Sequence, residues 1–455
     1  MKYQPRYDKG FVPMIVALRS FKEEVKNEAH KTLKICVERN NGYNYVYSLD
    51  IFASDDDNKK KRNFDIAERM IKSILWVAGG YKIYISGDDY VYEHIKAAYS
   101  KGGAREFDRD FMSGVYEKDF EVVCVDDKHF PAEKKCSLAI GGHLNGCRIG
   151  FDAGGSDRKV SAVIDGEVVY SEEVVWFPKT NSDYKYHYEG IKQAMLTAAS
   201  KMPRVDAIGV SSAGVYIDNK IMVASLFLKV PKDDFNKHVK TMYMDIAKEI
   251  GAPIEVANDG DVTALAGAID LNDTGILGIA MGTSEAGGYI NLNGTLNGWL
   301  SELAFVPVDF NKSAMVDEWS GDYGCGVKYF SQDGVIKLAE YAGHKFDEKL
   351  SPAEKLKEIQ ALMKNGDKMA EGIYEDIGIY LGYSIAFYSE FYDIKHLLLL
   401  GRVTSGKGGD IIIAKANEVL KTEFPEYASV SIEMPDENSR RVGQSIAAAS
   451  LTDIG

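Results

Sequence analysis

Cysteine is scarce in this chain: five residues, at 36, 124, 136, 147 and 325, among 455. Their odd number and wide spread argue against a disulfide framework and suit a reducing compartment. No two lie close enough in sequence to share a metal cluster. No stretch approaches the roughly 20 apolar residues that a membrane span needs. The opening "MKYQPRYDKGFVPMIVALRSFKEE" has a short apolar run, but charge follows at once and no small-residue cleavage site appears, so no signal peptide is expected. Basic runs are also missing. Lys and Arg number 54 against 68 Asp and Glu, a net charge of -14, which argues against nucleic acid as the main partner because neutralising phosphates supplies most of that affinity. Phosphate ligands stay open, since backbone N–H groups can hold them. The expectation is a soluble, cytoplasmic protein with neither nucleic acid nor membrane as a partner.

What is present is a long, well-packed chain. Hydrophobic residues make up 45%, and 455 residues exceed one ordinary core, so two or three domains are expected. No Gly/Ser/Pro-rich linker divides them. Residues 1–145 alternate. "TLKICVERNNGYNYVYSLDIFA" predicts a hairpin turning at Asn41-Gly42. A helix over "FDIAERMIKSILWVAGG", a strand, a helix and the strand "FEVVCVD" follow. The connector "DDKHFPAEKKCSLAIGGHLNG" comes next. Here Cys124, His129, Cys136, His143 and Cys147 invite a zinc reading, but their spacing fits no common finger. Small apolar packing is the expectation for Cys124 and Cys147.

From Cys147 onward a pattern appears twice. "CRIGFDAGGSD" is a strand running into a glycine turn, and "GIAMGTSEAGG" repeats it. Glycines let a phosphate approach the main chain and a hydroxyl adds a donor. Alone, the first turn reads sooner as an ordinary hairpin; the pair is the more specific signal. Asp152, at the first strand end, could hold Mg²⁺ directly or through water. Glu285 is an unexpected acid inside the second turn. It must point away, contact metal or weaken nucleotide binding. Between the turns lies "EVANDGDVTALAGA", a polar knot where a strand meets a helix. One Asp would serve as a helix cap, and Asp261 is placed for that. A further carboxylate at a strand end suits proton acceptance in phosphoryl transfer, and the neighbouring Asn258 can both donate and accept. The tyrosine-rich "SDYKYHYEG" is read as a surface loop packing on its own domain, with a sugar-stacking role the alternative.

In order, "FDAGGSD", "GVSSAGVY", "VANDGDVTALAGA", "GIAMGTSEAGGYI", "NGTLNGWLSELAFVPV", "LLLLGRVTSG" and "RRVGQSIAAASL" resemble the ROK family of bacterial sugar kinases and sugar-responsive repressors, over about residues 147–455. The resemblance implies a two-lobe, actin-like (ribonuclease H-like) α/β sugar kinase fold closing over ATP and a hexose. Here it would carry an extra N-terminal α/β domain at 1–145, a first lobe at 146–257 plus 440–455 and a second at 258–439. It makes Asp259 the catalytic base, with Asn258, Glu302 and Gly214 binding substrate. Asp152, Gly154, Gly155 and Ser156 become the first phosphate loop, Gly282 and Thr283 the second, and Gly401 the turn near the adenosine. ATP, Mg²⁺ and a small-molecule sugar are the implied ligands, with a homodimer left open.

The chain also departs from that pattern. The family usually has a Glu-x-Gly-His sequence and a cysteine-rich zinc motif. Here Phe305 stands where the His would, "WSGDYGCGVKYFS" keeps only Cys325, and Val327 replaces a sugar-binding Glu. Four ligands are needed for tetrahedral zinc, so no structural zinc is expected. The leading expectation is an ATP-dependent sugar kinase, and the alternative is a non-catalytic sugar-binding sensor or pseudokinase. A winged-helix repressor is disfavoured because residues 1–145 are strand-rich and acidic.

Overall fold

The computed structural model describes residues 1–136, 140–435 and 437–455, with side chains of the last helix from 443 onward. The chain divides into two compact units: one holds Met1–Cys136, Ile279–Gly287 and Gly298–Met434, the other Ser137–Gly278, Gly288–Asn297 and Pro435–Gly455. The connector expected at 126–146 falls partly on 137–139, which lie outside the described residues. Among the described residues no helix is long and apolar enough to cross a membrane.

The first unit opens with a helix that the sequence reading did not place, α1 (Met14–Lys26), which buries Met14, Ile15, Leu18, Phe21 and Val25 on one 3.6-period stripe. Strands β1 (His30–Glu38) and β2 (Asn44–Phe52) form the expected hairpin, with Asn41 and Gly42 both at positive φ in its turn. Helix α2 (Asp57–Ala78) follows, capped by the Asp56 side chain. Then come β3 (Lys82–Ser86), α3 (Asp89–Ala98), α4 (Glu106–Tyr116) and β4 (Glu121–Cys124). Their sheet runs β2-β1-β3-β4, with β3 and β4 parallel. Cys124 is exposed, not packed as expected, and all five cysteines are free.

Helix α2 is buried over its last three turns: Ile74–Ala78 are apolar all round, and the buried Glu68, Arg69 and Lys72 before them are ion-paired. Later segments of the same unit pack with this N-terminal region. Asp8 accepts hydrogen bonds from Tyr380 (2.6 Å) and Lys337 (3.2 Å). Asp376 accepts from the Arg6 and Tyr7 backbone N–H groups. Both Tyr380 and Asp376 belong to the long helix Lys368–Tyr388.

In the second unit the sheet order is β11-β8-β5-β6-β7. Strands β5 (Cys147–Ala153), β6 (Asp157–Ile164) and β7 (Glu167–Val175) form an antiparallel meander. β8 (Ala207–Ser212) and β11 (Ile254–Asn258) extend it in parallel, and the short pair β9 (Val215–Ile217) and β10 (Lys220–Val223) lies in the chain between them. Helix α5 (Tyr184–Ala199) starts at the capping residue Asp183, so "YKYHYEG" is helical rather than a surface loop. Tyr184, Tyr186 and Tyr188 pack against the core, and His187 is fully buried, its ring nitrogens near the Asp183 and Pro178 carbonyls. The helix Glu437–Ala449 lies on β5 and β8, where a Cβ at Gly150 or Gly209 would stand 1.8 or 1.6 Å from the Ser445 or Ala448 carbonyl oxygen. Only glycine permits that approach.

A four-stranded sheet runs β13-β12-β14-β15. Its strands are β12 (Ile276–Met281), β13 (Glu285–Ile290), β14 (His396–Leu400) and β15 (Ser431–Glu433).

Candidate active site

The second unit brings together Asp152, Gly154, Gly155, Ser156, Gly214, Asn258 and Asp259. Asp152 sits near the end of β5, 6% exposed, its Oδ1 accepting a hydrogen bond from Ser211 (2.9 Å) on β8. Lys159 reaches Asp152 at 3.9 Å and Asp157 at 3.3 Å. Burial pushes the Asp152 carboxyl up to about 6; Ser211 and Lys159 draw it down, and Asp259 adds to the rise. After β5 the chain turns through Gly154–Ser156, where the Gly154 carbonyl accepts from the Trp176 indole (2.8 Å). A Cβ at Gly155 would stand 3.0 Å from Lys179 Nζ, so this ammonium lies over the glycine turn.

Asn258 ends β11 and caps the helix Asp259–Leu271, its Oδ1 accepting from Gly260 N–H at 2.7 Å. The cap expected of Asp261 therefore belongs to Asn258, because the helix begins three residues earlier than that cap would place it. Asp261 instead accepts from the Tyr289 backbone N–H (3.0 Å). Asn258 Nδ2 donates to the Gly214 carbonyl (2.7 Å), and Gly214 has φ 143 with the Val223 carbonyl 2.3 Å from any added Cβ. Asp259 is partly buried at the helix N-terminus. Burial pushes its carboxyl up, while the Gly260 N–H (3.1 Å) and the Lys179 charge draw it back.

The first unit holds Gly282, Thr283, Glu302 and Gly401. Between β12 and β13 the turn closes through Gly282 N–H to the Ser284 carbonyl (2.9 Å), and the Gly282 carbonyl accepts from Gln332 N–H. Gly401, φ 94, follows β14 and lies against the Met281 backbone, where a Cβ would lie 2.3 Å from a carbonyl oxygen. Glu285, the acid inside the second turn, points into the protein. It is 3% exposed, takes a hydrogen bond from Tyr388 (3.4 Å), and burial pushes it well above the usual carboxylate range. Beside Thr283 and Ser284 opens a cavity of about 350 Å³, walled also by Phe305, Asp317, Lys328 and Asp333. Phe305 faces aromatic partners, 4.2 Å from the Trp76 ring and 5.7 Å from Phe107. Cys325 Sγ lies 3.8 Å from Ser320 Oγ, and Ser320 is tied to Asp317 at 2.7 Å.

Sequence reasoning missed Ser211, Lys159, Lys179 and Lys328. Lys159 was the findable one: two residues after Asp157 on a strand, it shares that residue's face. The others come from elements remote in sequence.

An antiparallel meander extended by parallel strands, with an acid at the end of its first strand and two glycine hairpins, defines the actin-like, ribonuclease H-like class of ATPases and sugar kinases. The ROK family model matches residues 148–445, and the chain belongs to the ROK family. Its fold is the α/β actin-like sugar kinase fold, with an N-terminal α/β region ahead of the matched part. Among solved structures, a ROK hexokinase from Thermus thermophilus aligns with TM-score 0.52 and 18% identity over 66% of this chain and 97% of that one. A ROK family transcriptional regulator, described as a homologue of the E. coli MLC protein, aligns with TM-score 0.50 and 18% identity over 68% and 79%. At such identities the likeness is one of fold. A search of curated proteins finds no match.

Proposed function

We propose that the protein is a cytoplasmic ATP-dependent kinase that phosphorylates a hydroxyl of a hexose or related sugar. The observation that carries this reading is Asp259. It is a partly buried carboxylate at a strand-to-helix junction, which burial raises above its ordinary value and which accepts from the Gly260 N–H. A base of that kind can take the proton of an attacking hydroxyl. Asn258 keeps one amide hydrogen and one lone pair beyond its cap and Gly214 bonds, which suits a sugar hydroxyl. Glu302 and Gly214 complete the proposed substrate contacts. Gly154, Gly155, Ser156, Gly282 and Thr283 would hold phosphate through main-chain N–H and hydroxyl groups, with Gly401 beside the adenosine.

The donor set at Asp152 fits Mg²⁺. Its carboxylate is raised by burial and by the neighbouring Asp259 charge, a cost that a divalent cation would relieve. When bound, Mg²⁺ supplies charge neutralisation at the phosphoryl oxygens. Ser211 orients Asp152, and Lys159 tempers the local negative charge.

A sugar panel with ATP and Mg²⁺, read by ADP release and phosphosugar formation, tests the reading. Asp259→Asn should cut transfer by about 10²–10⁴ and leave the sugar Kd by calorimetry nearly unchanged. A variant that keeps most of its turnover removes Asp259 from the role. The sensor or pseudokinase reading draws on Glu285 and on the missing His and Cys residues: Phe305, standing where the family usually has a His, packs on Trp76. Sugar binding without ADP release on any substrate would favour it.

A further inference from the structure

Helix α2 ends against the strand-free segment that carries Glu302. The last carbonyls of a helix have no intrahelical partner. Here the Trp76 carbonyl accepts from the Glu302 backbone N–H, and the Val77 carbonyl from Ser301, both at 2.9 Å. Ser301 holds φ 48, a left-handed conformation uncommon for a residue with a side chain. Gly79 stops the helix at φ 82, with Leu300 at 2.9 Å and the Tyr116 hydroxyl at 2.0 Å from any added Cβ. Three residues after Glu302, Phe305 lies against the Trp76 ring, whose indole donates to Asp108 at 3.0 Å.

The same helix grips a second segment. Arg69 and Lys72 of α2 and Arg105 beside it converge on Asp322, at 2.9, 2.8 and 2.8 Å. Glu68 and Asp108 bring the group to three cations and three carboxylates, none of whose side chains is more than 8% exposed. Asp322 belongs to the loop whose Asp317, Glu318 and Trp319 wall the 350 Å³ cavity together with Phe305. The loop closes on itself through Asp317 N–H to the Asp322 carbonyl (2.8 Å), so a fixed Asp322 fixes that wall.

We infer that α2, with Arg105 and Asp108, is a positioning element for sugar recognition: it sets Glu302 and two walls of the adjoining cavity, so sugar selectivity is tuned from the N-terminal region. The inference rests on the kinase reading. Trp76 is a positioning residue, since it acts through the Glu302 backbone and Phe305 and touches no substrate.

The test uses the full-length protein and the best sugar of the panel. Trp76→Ala should raise the sugar KM by about tenfold or more, because small displacements of binding groups carry large penalties, while the KM for ATP stays within about twofold. The ratio of kcat/KM for two accepted sugars should change as well. Trp76→Phe, which restores a ring against Phe305, should recover most of the sugar affinity. If Trp76→Ala does not fold, Phe305→Leu removes the same contact from the other side and should shift sugar KM alone. Folded variants with wild-type sugar KM and selectivity overturn the inference while leaving the kinase reading standing. A wild-type protein that neither binds nor phosphorylates any sugar overturns the functional reading and this inference with it.

Discussion

Replacing Asp322 by Asn tests the buried ion cluster directly. The carboxylate balances Arg69, Lys72 and Arg105 within a group of three cations and three anions, so the amide leaves one buried positive charge uncompensated. Breaking such a pair from one side costs about 3–5 kcal/mol, against about 0.2–1 kcal/mol for an exposed pair. Unfolding entropy of about 2.1 cal/mol/K per residue over the roughly 280 residues of this unit gives about 1.7 °C per kcal/mol, hence a Tm drop of about 5–8 °C. Calorimetry at pH 7.5 measures it. The pH dependence adds a second check. Burial alone would raise Asp322, but Lys72, Arg69 and Arg105 overcome it and hold the carboxyl well below its ordinary 3.8. Its stabilisation is then fully present above that value and is lost as pH falls toward the folded-state pKa. Wild-type Tm should therefore fall more steeply than the variant's below about pH 4. A variant that melts within about 1 °C of wild type at pH 7.5, or follows the same acid limb, would refute the cluster's role.

Glu285→Gln should raise the melting temperature at pH 7.5, because burial lifts the Glu285 carboxyl and its ionisation works against folding. That gain should vanish below about pH 4.5, where the acid is protonated in both states; an equal effect at pH 4 and 8 would contradict it. Mg²⁺ affinity, followed by calorimetry, should weaken about tenfold per unit as pH falls below the Asp152 value of about 6 and level off above 7. A flat profile from pH 5 to 7 would remove Asp152 as a ligand. Gly209→Ala should cost about 1–3 kcal/mol or more in urea melts, since its Cβ would overlap the Ala448 carbonyl. An unchanged midpoint would mean that helix Glu437–Ala449 can move away.

Much of the framework was legible from local chemistry. Asp165-Gly166 makes a two-residue hairpin turn with both φ positive, Asn41 and Gly42 take positive φ in the longer Arg39–Tyr43 connection, and the buried "HLLLL" run is a strand. Less legible were features with competing local answers. Asn258 and Asp261 are both good caps, and the choice depended on where the helix begins. Helix α1 has a clean apolar stripe but follows a Pro-rich, charged opening that hid its start. Which of the three alternatives holds for Glu285 was not decided by the sequence, because strand alternation gives the face of a side chain and not what lies behind that face.

By itself the sequence determined the two glycine hairpins, the acid near the end of β5, the polar strand-to-helix junction at 258–261 and the family, because turn chemistry and strand-end carboxylates are local and keep their order along the chain. The tertiary structure decided what surrounds them. It matched Asp322 with three cations from residues 69–105, set Phe305 against Trp76, and hung the Glu302 backbone on the end of α2. Those pairings join residues more than 200 positions apart. Their energy comes from burial and charge neutralisation in one interior, which no window of sequence contains.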